Sequence, residues 1–114
     1  MKPEVLKAVG IDYDEGVGRF SGRADLYEKF LKKFEEDENF DQCRQAMKAG
    51  DVDAAFRHAH ALKGITGNLS MNEFYKHLYD VVEALRSKDK ALADKLFAEL
   101  SEEYDKIVAA VKEA

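Results

Sequence analysis

Apolar residues recur every three or four positions along most of this chain, the period of one face of an α-helix. Between Ala24 and Asp37 they are Leu26, Tyr27, Phe30, Leu31 and Phe34, with charged residues between them. A shorter helix is expected over Asn39 to Ala49, with Phe40, Cys43 and Met47 turned inward and Gly50 as its stop, glycine being common just past a helix C-terminus. Asp51 is a good N-cap for the next helix, and Asp53 adds favourable charge in its first turn. That helix should run to about Leu69. Ser70-Met71-Asn72-Glu73 then has the S-x-x-E form of a capping box, so a further helix is expected to start there with almost no linker and reach about Arg86. Its stripe is Met71, Phe74, Tyr75, Leu78, Val81, Val82 and Leu85. After a break at Ser87-Lys88-Asp89, Leu92, Leu96, Leu100, Tyr104, Ile107, Val108 and Val111 mark the last helix.

The N-terminal region is less periodic. Pro3 to Val9 has room for one or two helical turns, and Pro3 suits an early helical position where its missing N–H costs nothing. Residues 11–22, IDYDEGVGRFSG, hold three glycines without periodicity and read as a loop. No stretch alternates like a β-strand, and no segment repeats. The pattern therefore predicts an all-α protein, an antiparallel up-and-down four-helix bundle with short additional N-terminal helical segments. It forms one domain over 1–114, with 1–22 as the N-terminal helix and loop and 23–112 as the bundle.

Composition narrows the function. A chain of 114 residues, 46% hydrophobic and 36% charged, suits a folded domain with one core. The net charge of −5 disfavours a general affinity for nucleic acid or anionic membrane. No apolar run approaches the ~20 residues that span a bilayer, and the first residues lack the apolar centre of a secretion signal. A cytoplasmic protein is expected. It should be monomeric, because each large apolar stripe has a place inside the bundle. Cys43 has no second cysteine to pair with and reads as a packing residue.

One segment breaks its own pattern. Gly64 and Gly67 lie inside a predicted helix, where glycine costs about 0.5–1 kcal/mol relative to alanine. On a wheel of about 100° per residue, Ala55, Ala59, Leu62, Thr66 and Leu69 form the core face, and His60 lies nearly opposite. Phe56, Arg57, Lys63, Gly64 and Gly67 fall within roughly 60° of His60. Missing side chains beside an exposed imidazole let another protein approach it closely. Arg57 and Lys63 put positive charge where an added phosphoryl group would bring about two negative ones. Phe56 is apolar on a face that should be wet, which suits a contact surface. A neutral imidazole is a competent nucleophile toward an acyl phosphate, and Lys63 is placed to stabilise the phosphoryl oxygens during in-line transfer.

The run His60, Leu62, Lys63, Gly64 resembles the H-x-L-K-G signature of histidine-containing phosphotransfer (HPt) domains, and Asn68 occupies a position where that family often has asparagine. The resemblance covers most of the chain in outline, from the Leu26–Phe34 helix onward, and is specific over residues 58 to 70. It implies a helical bundle whose histidine takes a phosphoryl group from a receiver-domain phospho-aspartate, or from a (hybrid) sensor histidine kinase, and donates it to a response regulator. By position, His60 is the phospho-acceptor, Lys63 helps position the phosphoryl group, and Gly64 gives the partner room. Docking in the family is largely hydrophobic around the histidine, which Phe56 is placed to provide. The family often has a second glycine ten residues after the histidine; here that position is Ser70, and Gly67 is expected to supply part of the clearance. Mg²⁺ is expected on the partner receiver domain, with no cofactor bound by this chain.

Other readings stand beside these. His58, some 160° round the wheel, reads as an edge residue. His77 could pair with Glu73 at i−4, but a bundle metal site needs ligands converging from several helices. Arg57 serves equally well as a solubilising charge, and Phe56 as bundle edge. The chain has no phosphate-cradling glycine loop, kinase nucleotide motif or Ser/His/Asp pattern, which favours a carrier over a kinase. The alternative is a non-catalytic helical adaptor that grips a partner with the same face and has no need of His60.

Overall fold

Every long apolar stripe becomes a helix in the computed structural model, which describes residues 1–114 and contains no strand. The helices are α1 Pro3–Lys7, α2 Tyr13–Arg19, α3 Ala24–Phe34, α4 Asn39–Ala49, α5 Val52–Asn68, α6 Asn72–Arg86 and α7 Lys90–Glu113. The all-α bundle expected from the sequence is the fold found. Each of α4 to α7 packs against the next, while α1 and α3 lie against α7. The 24 residues of α7 make a rod of about 36 Å, nearly the molecule's full 40 Å length. This helix is the spine, and it buries Ala93, Phe97, Leu100, Tyr104, Ile107, Ala110 and Val111. Across it Phe40 of α4 stacks on Tyr104 with ring centres 3.9 Å apart and on Phe97 at 5.3 Å, so the aromatic pairs at the core's centre tie α4 to α7.

The connections are short because five helices end in the same way. After α1, α2, α4, α5 and α6 the residue in the left-handed region is Gly10, Ser21, Gly50, Ser70 and Lys88 respectively. Each donates its N–H three residues back, and the next residue donates five back, as Ser70 to Gly67 and Met71 to Thr66 do. This pair of bonds satisfies the last carbonyls of each helix and reverses the chain at once.

Four expectations need correction. Residues 11–22 are not a loop. Asp12 caps α2 by accepting the Glu15 N–H at 3.0 Å, and Gly16 is buried because Tyr27 needs its space. A Cβ on Gly16 would sit 2.2 Å from the Tyr27 ring. The S-x-x-E run forms no capping box: α6 starts from Met71 without a side-chain cap, and Ser70, fully buried at φ 54°, closes α5 instead. Its hydroxyl accepts from Arg19 Nε at 3.1 Å, and its carbonyl from the Asp12 N–H. These bonds offset the roughly 1–2 kcal/mol that a left-handed conformation costs an L-residue. The first bundle helix ends at Phe34, short of Asp37. Finally, Phe30 and Leu92, both placed on inward stripes, are 39% and 43% exposed, because α3 and the start of α7 lie at margins of the bundle.

Tyr27 joins three elements. Its ring fills the space left by Gly16, and its hydroxyl donates to the Leu69 carbonyl at the end of α5, 2.7 Å away. Burial pushes this phenol's pKa well up, so it remains a donor at any physiological pH. Replacing Gly16 by Val should therefore force Tyr27 aside and destabilise the protein by about 1–3 kcal/mol. A lower urea midpoint in equilibrium unfolding is the expected result; an unchanged midpoint would show that the ring moves freely.

Candidate functional site

The site is built on α5, whose buried face consists of Ala55, Ala59, Leu62 and Thr66. Such small residues let α4 and α6 pack closely on its two flanks, which leaves the opposite face to solvent. His60 is exposed there. Of the three histidines it alone has a free ring: His58 bonds the Asn39 side chain at 3.1 Å, and His77 bonds Glu103 at 2.8 Å. The His58 contact fits an edge residue. His77 is tied to α7 through Glu103, not to Glu73 within its own helix.

The seam between α5 and α6 sets the surroundings of His60. Gly67 lies against Tyr75, Lys63 against Tyr79, and Phe56 against Arg86. Moving up α5 moves down α6, so the helices are antiparallel and the register places the buried Val82 across from His60. Two cation–π contacts straddle the histidine. The Lys63 ammonium lies 5.0 Å from the Tyr79 ring centre, and the Arg86 guanidinium 5.0 Å from that of Phe56. The Phe56 ring also tilts against the imidazole, 5.7 Å away. Arg86 has a carboxylate neighbour in Glu83 at 3.4 Å, whereas Lys63 and Arg57 form no ion pair.

The two glycines have different roles. A Cβ on Gly64 would meet nothing within 4 Å, so the space beside His60 is open as expected. A Cβ on Gly67 would lie 3.2 Å from the Tyr75 ring. Gly67 thus serves packing with α6, a role the wheel of α5 alone does not show. Phe56 is likewise half-buried and packed on the core, so it forms the bundle edge as much as a contact surface. Ser70, at the position where a second glycine was expected, is fully buried. Its backbone takes the left-handed conformation there, at φ 54°.

A groove of about 600 Å³ lies on the flank of α5 toward α2 and α3. Phe20, Phe30 and Phe34 line it opposite Ile65, Asn68 and Leu69, together with the charged Arg19, Lys33 and Asp37. Phe20 and Phe30 lean on each other at 5.5 Å, and the Lys33 ammonium lies 5.2 Å from the Phe30 ring centre. Asn68 is exposed and joins this groove to the His60 face. Sequence reasoning missed Phe20 and Phe30 as surface residues, and it missed Tyr79 and Arg86 altogether. A large aromatic at 79, off the stripe of its helix, was the available signal.

Cys43 behaves as a packing residue. It is buried, its thiol contacts the Ala55 carbonyl at 3.5 Å, and burial pushes its pKa up to about 12. No group of three or more His, Cys, Asp or Glu side chains is arranged to hold a metal ion. No helix is long and apolar enough to cross a membrane.

A family model described as "Hpt domain" matches residues 25–110. No curated protein and no solved structure gives a significant match. The matched span includes α5, α6 and the whole seam around His60, and it begins after α2.

The contrast between the glycines is testable. Gly64→Ala should stabilise the protein by about 0.5–1 kcal/mol, the helix propensity gained without a clash. Gly67→Ala should gain distinctly less, or lose, because its methyl group meets Tyr75. Urea unfolding of both variants decides the point; equal gains would show that Tyr75 does not hold the seam.

Proposed function

The chain belongs to the Hpt domain family, whose modules serve phosphotransfer in two-component signalling, and on that premise we propose that His60 is its phosphoryl acceptor. The observation that carries this reading is the pairing of the single free imidazole with the open space over Gly64. A receiver domain bearing an aspartyl phosphate brings its acidic pocket to this face. The unprotonated ring nitrogen of His60 attacks phosphorus, the N–P bond forms, and the P–O bond to the aspartate breaks to release its carboxylate. The reverse exchange delivers the group to the aspartate of a second receiver, a response regulator. A (hybrid) sensor histidine kinase is the other donor of this kind.

The chain's own residues supply position and charge. Lys63 stabilises the phosphoryl oxygens, and Arg57 adds positive potential from the other side of His60. The apolar groove beside Asn68, with Phe30 exposed and Phe20 half-buried in it and Arg19, Lys33 and Asp37 among its charged lining, suits an apolar element of a receiver. Mg²⁺ acts in the receiver's acidic pocket, and the carrier needs no cofactor or nucleotide of its own. In this reading residues 1–114 work as one monomeric domain in the cytoplasm. Their single continuous core supports the one-domain assignment.

The alternative, an adaptor without covalent chemistry, makes His60 dispensable. Incubation with a radiolabelled phosphorylated receiver and Mg²⁺ should label the wild-type chain with an acid-labile, base-stable bond. His60→Gln should take up no label while keeping its fold and melting temperature. Gly64→Gln should fold as well yet accept at least tenfold more slowly, because its side chain fills the approach. Label on the His60→Gln variant would end the assignment.

A further inference from the structure

Tyr79 is a large aromatic residue that is 45% exposed, so core packing does not account for it. Its hydroxyl has no hydrogen-bond partner among the side-chain bonds of the protein. What it does contact is Lys63, whose ammonium rests over the ring at 5.0 Å. Resting on the reading that His60 accepts phosphoryl groups, we propose that Tyr79 is a positioning residue, which holds the Lys63 ammonium at the α5–α6 seam one turn from the imidazole.

The chemistry explains why an aromatic ring suits this task. A lysine side chain has four rotatable bonds and loses considerable entropy when it is fixed. A carboxylate would fix it, but would also neutralise it and repel an incoming group carrying about two negative charges. An aromatic face orients the cation through its quadrupole and leaves the full positive charge available. Lys63 has the ring and no carboxylate, while Arg86, across the same seam, has both Phe56 and Glu83. Lys63 is thus the cation beside His60 that is both ordered and uncompensated. The antiparallel register that seats Tyr75 on Gly67 brings Tyr79 opposite Lys63 one turn further on. The backbones therefore place the two side chains opposite each other, and the ring then holds the ammonium.

The test is single-turnover transfer from a phosphorylated receiver at saturating concentration, measured by rapid quench. Tyr79→Leu should slow transfer to His60 by about two- to fivefold, the range that an exposed cation–π contact can supply. Tyr79→Phe, which keeps the ring and drops only the hydroxyl, should match the wild type. In a Lys63→Met background, Tyr79→Leu should have no further effect, because the residue it positions is gone. Wild-type rates for Tyr79→Leu would overturn the proposal. So would an equal loss in the Lys63→Met background, which would show the ring acting on docking or on the fold. If the wild-type chain takes no label on His60, the acceptor assignment itself fails and this inference falls with it; labelled His60 with an unaffected Tyr79→Leu variant refutes the inference alone.

Discussion

The close approach of α5 and α6 at Gly67 is the constraint from which the His60 face follows. A Cβ added at Gly67 would lie 3.2 Å from the Tyr75 ring, so a side chain there would require the ring or the helices to shift by a few tenths of an ångström. Once the contact is fixed, the antiparallel register leaves no freedom for the neighbours. Lys63 meets Tyr79, Phe56 meets Arg86, and the imidazole lies beside the Phe56 ring. Alanines on the inner face of α5 extend the same closeness to α4. The exposed His60 thus stands on a helix packed on both flanks, against α4 and α6, which would suit an acceptor that must meet a partner's pocket in a defined orientation.

The electrostatics point the same way. The chain as a whole carries a net charge of −5, yet Arg57 and Lys63 beside His60 form no ion pair, whereas Arg86 and Arg19 are paired with Glu83 and Glu15 and the groove holds Asp37 as well as Lys33. Exposed charges of this kind add little to stability. On the proposed function, their value is in a local potential that would lower the cost of placing phosphoryl charge on the His60 ring. The groove adds apolar area on the same side, built by α2 and α3 against the end of α5. Tyr27 connects the two regions, because its ring rests on Gly16 and its hydroxyl bonds the last turn of α5.

The long helices, their order and the exposed histidine were legible in the sequence, because a period of 3.6 is a local signal and His60 lies opposite the apolar stripe of its own helix. What was not legible required a second element. Gly16 and Gly18 lower the helix propensity of 13–19, and only the Tyr27 ring explains why a helix with a glycine at 16 is the stable solution. Ser70-x-x-Glu73 fits a capping box by composition, but the residue takes the left-handed conformation that ends α5, as Ser21 and Lys88 do elsewhere without a glycine to announce it. Gly64 and Gly67 look alike on a wheel of α5 alone. The Tyr75 ring separates them, and no wheel contains it. Tyr79 and Arg86 matter through register, which appears only when two helices are docked. Phe30 sits on a regular stripe, yet α3 lies at a margin of the bundle where part of that stripe has nothing to cover it.

A single free imidazole on a single face also has a consequence for traffic. If His60 is the acceptor proposed above, two partners that both need that ring cannot be seated on it together, so loading and unloading would alternate in a ping-pong cycle. Each visitor's residence time then sets a ceiling on throughput, and a donor that clings after delivery acts as an inhibitor of the next step. Such a carrier works best with contacts that are specific but short-lived. A small apolar groove with charged residues of both signs in its lining would supply contacts of that kind.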